Sequence, residues 1–155
     1  EFGGCSVFAV GDCDGRNPAS DFGLCYLHHI GRRYWESAAK HGLVRPPLSS
    51  EHLCAMASHY QFFRELLFAL EHDGVFVLLS DDRSPVFLCK GPQGDRGLLP
   101  VLLSILPSDM RGRVVHLSIQ KLLEEATLEP GNSWIPAFRE KYGLACPFPG
   151  CLTTS

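Results

Sequence analysis

The sequence predicts an α+β fold, a small mixed sheet packed by helices, and three observations predict it. Apolar residues recur at three- and four-residue steps from Leu53 to Leu70, the period of one helix face. After Asp73 and Gly74 that period gives way to short unbroken apolar runs at 75–79 and 86–90, which are of strand length. The 155 residues, 45% of them apolar, suffice for one compact core and are too few for two full-sized domains.

Taken in chain order, residues 1–25 are rich in Gly, Asp, Asn and Ser and show almost no apolar period, so burial cannot order them. From Cys25 to Lys40 the chain reads as a helix, with Leu27, Ile30, Tyr34 and Ala38 on one face and Arg32, Arg33, Glu36 and Lys40 largely on another. Gly42 and the pair Pro46, Pro47 close it. Ser49 or Ser50 caps the next helix, whose apolar face holds Leu53, Met56, Ala57, Tyr60, Phe63, Leu67 and Leu70 and which runs to Glu71. The runs 75–79 and 86–90, joined by a turn at 80–85, read as a β-hairpin. A loop with Gly91, Pro92, Gly94 and Gly97 leads into 98–106, where periodicity does not choose between helix and strand, although Pro100 suits a helix's first turn. A strand at 114–117, a helix at 118–127 and a last helix at 133–142, stopped by Gly143, complete the reading. The implied organisation is a cysteine-bearing module with its following helix at 1–47, an α+β domain at 48–144 and a tail at 145–155.

Seven cysteines, an odd number, exclude a complete internal disulfide framework, and their spacing looks more like metal ligation. Cys5 and Cys13 lie in the turn-rich segment, and Cys25 with His28 forms a C-x2-H pair at a helix start, where one turn brings both side chains to the same side. Thiolates and an imidazole in that number suit tetrahedral Zn2+, and a metal would order a segment that burial cannot. The expected ligands are therefore Cys5, Cys13, Cys25 and His28, with His29 competing for the last place. Four protein ligands leave no open position for water, so this N-terminal zinc-binding module would be structural.

The elements CSV at 5–7, GDC at 11–13, RNPA at 16–19, GLCYLHH at 23–29 and RRY at 32–34 resemble the small CCCH zinc module of some bacterial and phage nucleases and integrases, with a longer gap between the first two cysteines. Near the end, Cys146 and Cys151 have the C-x4-C spacing that resembles half of a two-cysteine, two-histidine finger. A second metal, partners such as Cys54 or a histidine, and a tail of free or paired thiols all remain open for them.

Beyond the module stand Arg32, Arg33, Lys40, His41 and Arg45, with Tyr34 and Trp35 between them, which read either as a phosphate- or partner-binding face or as a solvated helix surface. A net charge of −3 and a pI near 6.2 exclude coating of nucleic acid by bulk charge. No apolar run has the roughly 18 residues of a membrane span, and no signal peptide is visible, so the expectation is an intracellular protein of nucleus or cytoplasm.

The stretch 62–91, an amphipathic helix followed by GVFVLLSDDRSPVFLCKG, is similar in outline to the opening of ligand-sensing GAF or PAS domains, which implies a sensor or interaction role. FGLCYLHH also resembles the helix-capping cysteine of papain-like proteases, including viral leader proteases; that resemblance implies Cys25 as nucleophile and His116 as base. GPQGDRG at 91–97 lacks the Lys and Ser or Thr of a phosphate loop, and Asp81 and Asp82, being adjacent, point apart. The expected function is a zinc-stabilised regulatory or adaptor domain that binds protein or nucleic acid, with the Cys25/His116 protease as its rival.

Overall fold

The computed structural model describes residues 4–144. The chain divides into two compact units, Glu1–Phe76 with Ser104–Val114, and Val77–Leu103 with Val115–Ser155.

The first unit is helical: α1 (Ser6–Ala9), α2 (Tyr26–His29), α3 (Tyr34–Lys40) and α4 (Ala55–Glu71). The helix expected from 25 to 40 is thus two helices. Gly31 stands at φ +82°, a left-handed conformation that glycine adopts without penalty, and the Arg32 N–H reaches back 2.8 Å to the Leu27 carbonyl. This closes α2 with the hydrogen bond of a glycine-terminated helix end, so the chain cannot continue straight. Gly42, at φ +72°, closes α3 in the same way as the Leu43 N–H bonds the Ala38 carbonyl at 2.8 Å.

The longest helix, α4, begins after Cys54, while Ser49 and Ser50 lie in a preceding 3-10 turn, Leu48–Ser50. The late start and an irregular turn at His59 (φ −129°, ψ 39°) shift its buried face to Met56, Phe62, Phe63, Leu66, Leu67 and Leu70. Leu53, placed in the core by periodicity, is 71% exposed. Phe62 meets Phe63 and Phe76 edge-on at centroid distances of 5.3 and 5.6 Å. Removing each such ring from water contributes about 1.5–3 kcal/mol to the core. α3 packs on α4 through buried Trp35 and Ala38, and the Tyr60 hydroxyl donates to that of Tyr34 at 2.7 Å.

Helix α1 buries none of its residues, while the segment around it contributes buried Cys5 and fully buried Pro18. Backbone bonds hold it to the start of α4: Cys5 N–H to the Ala57 carbonyl at 2.8 Å, Cys54 N–H to the Gly15 carbonyl at 2.7 Å and Asn17 N–H to the His52 carbonyl at 3.2 Å. The Asn17 amide adds bonds to the carbonyls of Leu48 and Glu51.

The second unit is built on two strands, β1 (Phe76–Ser80) and β2 (Val114–Ser118), whose first residues fall in the first unit. They form a two-stranded parallel sheet, so the expected hairpin of 75–79 with 86–90 is corrected. Residues 86–98 close on themselves instead: Cys89 and Arg96 exchange backbone bonds of 2.8 and 2.9 Å, and Leu98 N–H bonds the Val86 carbonyl. Gly97 permits that closure, because at φ +113° a Cβ would stand 2.7 Å from the Phe87 carbonyl oxygen.

The ambiguous stretch after Gly97 resolves as helix α5 (Leu98–Ser104), with Pro100 in its first turn. Helix α6 (Ile119–Thr127) starts at Ser118, whose hydroxyl accepts from the Lys121 N–H at 3.1 Å. Helix α7 (Ile135–Lys141) carries a proline in its first turn and ends before Gly143, at φ +63°. These two helices pack through Leu123, Ile135 and Leu144, with Ile119, Ala126 and Phe138 around them.

Candidate functional sites

Among the described residues, no group of three or more His, Cys, Asp or Glu side chains has a metal-ligating arrangement. The expected zinc finger of Cys5, Cys13, Cys25 and His28 is therefore corrected. His28 turns its Nδ1 to the Glu36 carboxylate at 3.8 Å, and His29 pairs its Nε2 with the Gly23 carbonyl at 2.7 Å. Cys146 and Cys151 lie outside the described residues.

Cys54, the cap of α4, lies against the N-terminal segment, its N–H bonded to the Gly15 carbonyl at 2.7 Å. Burial pushes the Cys54 thiol up to about 11, the Met56 and Ala57 N–H groups pull the other way, and Cys25 and Cys13 add to the rise. Burial likewise raises Cys25, opposed by the Leu27 and His28 N–H groups and assisted by Cys13 and Cys5. The four are free cysteines, whereas Cys89 is disulfide-bonded. A raised Cys25 runs opposite to the lowered thiol of a nucleophile.

The basic residues beyond the module are mostly committed to acids. Arg33 holds the Glu36 carboxylate at 2.7 and 3.0 Å, Lys40 bonds Glu71 at 2.7 Å, and Arg45 bonds Asp109 and the Gly42 carbonyl. Arg32 donates to the Tyr34 hydroxyl at 3.3 Å. Lys40, Ser37 and His41 together draw Glu71 down to about 2, while burial, with Tyr34 adding, pushes Tyr60 up to about 12. The face is thus a belt of mixed sign tying α3 to α4.

In the second unit the carboxyl ends of β1 and β2 bring polar groups together. Buried Ser80 shares a 2.7 Å hydrogen bond with His116 Nε2. The Arg83 guanidinium grips Asp81 at 2.6 to 3.0 Å and holds its carboxyl far below the usual range, and the Gln120 amide donates to the same carboxylate at 2.6 Å. Arg83 also donates to the carbonyls of Tyr142 and Gly143 at 3.1 Å, bracketing the end of α7. His116, expected as a partner of Cys25, is thus engaged by Ser80. Ser80 and Gln120 escaped sequence reasoning because their partners, His116 and Asp81, are 36 and 39 positions away, while Arg83 meets Asp81 only two residues off.

The opposite side of the sheet is apolar and open. Side chains alternate along a strand, so the Ser80–His116 contact places 78, 80 and 116 on one face and 77, 79, 115 and 117 on the other. Leu78 and Ser80 are buried, but Val77 is 48%, Leu79 45% and Val115 43% exposed. Parallel pairs are ordinarily covered on both faces, which makes this one conspicuous.

These features define a small α+β protein in which polar groups bond one another and an apolar sheet face is left free. Residues 1–143 match the family described as Restriction Endonuclease associating with ARP, and the chain belongs to that family. The match spans the stretches that suggested a CCCH module of phage and bacterial nucleases and a GAF or PAS domain, and it replaces both readings. No curated protein and no solved structure matches the chain. Among the described residues, no helix is long and apolar enough to cross a membrane.

Proposed function

We propose that this chain is a regulatory or adaptor domain of a restriction-endonuclease system that docks a protein partner on the open face of its sheet. The observation that carries this reading is the apolar row of Val77, Leu79 and Val115, with half-buried Leu117, on a parallel pair that normally has both faces covered. The family's description, an endonuclease associating with ARP, supports a protein as the occupant. Nucleic acid is the weaker partner, because phosphate contacts need uncommitted cations and Arg33, Lys40 and Arg45 each hold a carboxylate. Four free cysteines suit the nucleus or cytoplasm, with the disulfide at Cys89 pointing the other way.

The test is co-expression with the cognate ARP followed by calorimetric titration. Binding by the parent that Val77→Lys with Leu79→Lys abolishes supports the reading; undiminished binding by that variant overturns it.

The family's description also favours a second reading, hydrolysis of DNA, with Asp81 at the carboxyl end of β1 as the acidic group. Its test is Mg2+-dependent nicking of supercoiled plasmid. Asp81→Asn must abolish nicking, and an inactive parent dismisses the reading.

A further inference from the structure

We propose that Arg32, Tyr34 and Tyr60, all in the first unit, form a notch that takes the side-chain carboxylate of an aspartate or glutamate on a protein partner. The notch is separate from the sheet face of the second unit and stands on different observations.

Its hydrogen-bond inventory is unbalanced. The Tyr60 hydroxyl donates to the Tyr34 oxygen at 2.7 Å, and Arg32 Nη1 donates to the same oxygen at 3.3 Å. With both lone pairs of that oxygen taken, the Tyr34 O–H proton is left as a donor directed away from the pair. Arg32 is exposed, its remaining N–H groups are donors as well, and among the described residues it meets no carboxylate. The cluster therefore offers several donors and a positive charge. A carboxylate only accepts, and its two oxygens can take the Tyr34 O–H and the Arg32 guanidinium together. An ammonium would meet donors with donors, and an amide or hydroxyl brings no charge.

Charge fixes the class of anion. Arg33, the next residue, is spent on Glu36 at 2.7 and 3.0 Å, and Arg64, one turn beyond Tyr60 on α4, is spent on Glu65 at 2.6 Å. Those pairs cancel and leave the notch the single charge of Arg32. One carboxylate neutralises it, whereas a phosphomonoester, at about −1.5 to −2, overshoots it.

The notch is also rigid. The two rings meet edge-on at 5.4 Å and 86°, both are half-buried, and the Arg32 N–H is fixed by its 2.8 Å bond to the Leu27 carbonyl. Burial, with Tyr34 adding, pushes Tyr60 up to about 12, so its hydroxyl keeps its proton at neutral pH. Little ordering cost is then left to binding.

The experiment follows the tyrosine ring signals of the full chain by NMR while acetylated, amidated tetraglutamate is added at low salt, with tetraglutamine and inorganic phosphate as separate arms. Tetraglutamate should shift the Tyr34 and Tyr60 signals saturably, and tetraglutamine should leave them unmoved. Arg32→Gln, at an exposed position, and Tyr34→Phe, which keeps the ring, should each raise the dissociation constant roughly 10-fold or more, the scale of one hydrogen bond to a charged group. Arg96→Gln removes the same charge from an exposed position of the second unit and should change it by less than about threefold. The proposal falls if tetraglutamate gives no saturable shift, if tetraglutamine binds as well, or if Arg96→Gln weakens binding as much as Arg32→Gln does. Phosphate saturating the signals at a lower concentration than tetraglutamate also overturns it, by making the notch a phosphate site.

Discussion

Replacing Val77 and Leu79 by lysine tests the open sheet face quantitatively. Val77 is 48% and Leu79 45% exposed, so about half of each side chain is still available for burial by a partner. Complete burial of a Val or Leu side chain contributes about 1.5–3 kcal/mol, so the remaining half is worth about 1 kcal/mol at each position and about 2 kcal/mol for the pair. At about 1.4 kcal/mol per decade, losing it weakens binding roughly 30-fold, and two ammonium groups facing an apolar partner surface weaken it further. Folding should hold, because lysine lays its aliphatic stem on the sheet and keeps its charge in water, and surface changes of this kind usually stay within about 0.5 kcal/mol. Calorimetry on the proposed partner should show a negative heat-capacity change for the parent and a Kd at least roughly 30-fold higher for the double variant. Urea denaturation of the free chain is the control. A Kd within threefold of the parent's, with folding intact, would refute the reasoning, and a loss of binding on Arg33→Glu with Lys40→Glu instead would place the partner on α3.

Three further outcomes follow from the packing and the charges. Phe63→Ala, at a fully buried position against Phe62, should cost about 3–5 kcal/mol and lower the urea midpoint accordingly. Gly31→Ala meets no atom within 4 Å but places a side chain at φ +82°, so it should cost about 1–2 kcal/mol by conformation alone, seen as a lower Tm. Glu71 is held near 2 in the fold by Lys40, Ser37 and His41, below its ordinary 4.5; a depressed carboxylate stabilises above its unfolded value and loses that contribution as pH falls from about 4.5 toward 2. Acid titration of stability should therefore show a slope in that window that Glu71→Gln flattens, and an unchanged slope would dissociate Glu71 from acid unfolding.

Local chemistry made several elements legible. Pro100, Ser118 and Gly143 mark helix ends because each acts locally: Pro100 by its fixed φ, Ser118 by accepting from the Lys121 N–H, and Gly143 by its left-handed backbone. The hairpin failed for the opposite reason: a strand-length apolar run states that it wants a ladder but not which ladder, and β1 finds β2 beyond the intervening loop and α5. Leu53 was misplaced because an apolar face was extended past the true cap, Cys54. Among the sites, the types of the basic residues were readable, but the carboxylates that occupy them were not; Arg45 meets Asp109, 64 positions away. The spacing of Cys5, Cys13 and Cys25 is visible in the sequence, but the bonds that the Cys5 and Cys54 N–H groups donate to the Ala57 and Gly15 carbonyls, which hold the N-terminal segment to α4, are encoded by no spacing rule.

The parallel pairing of β1 with β2 also sets an order of events on the ribosome. β1 emerges before its only ladder partner among the described residues, and everything from Asp81 to Arg113 must be synthesised before β2 can reach it. Throughout that interval Val77, Leu78 and Leu79 form an apolar strand with unpaired edges, the kind of segment that seeds association between nascent chains. The helices α3 and α4 of the first unit pack on each other without waiting for a strand partner, although residues 104–114 complete that unit later. A chain cut short before Val114 should therefore retain helix and aggregate, and a host that makes this protein in quantity has reason to shield β1 until translation has passed Ser118.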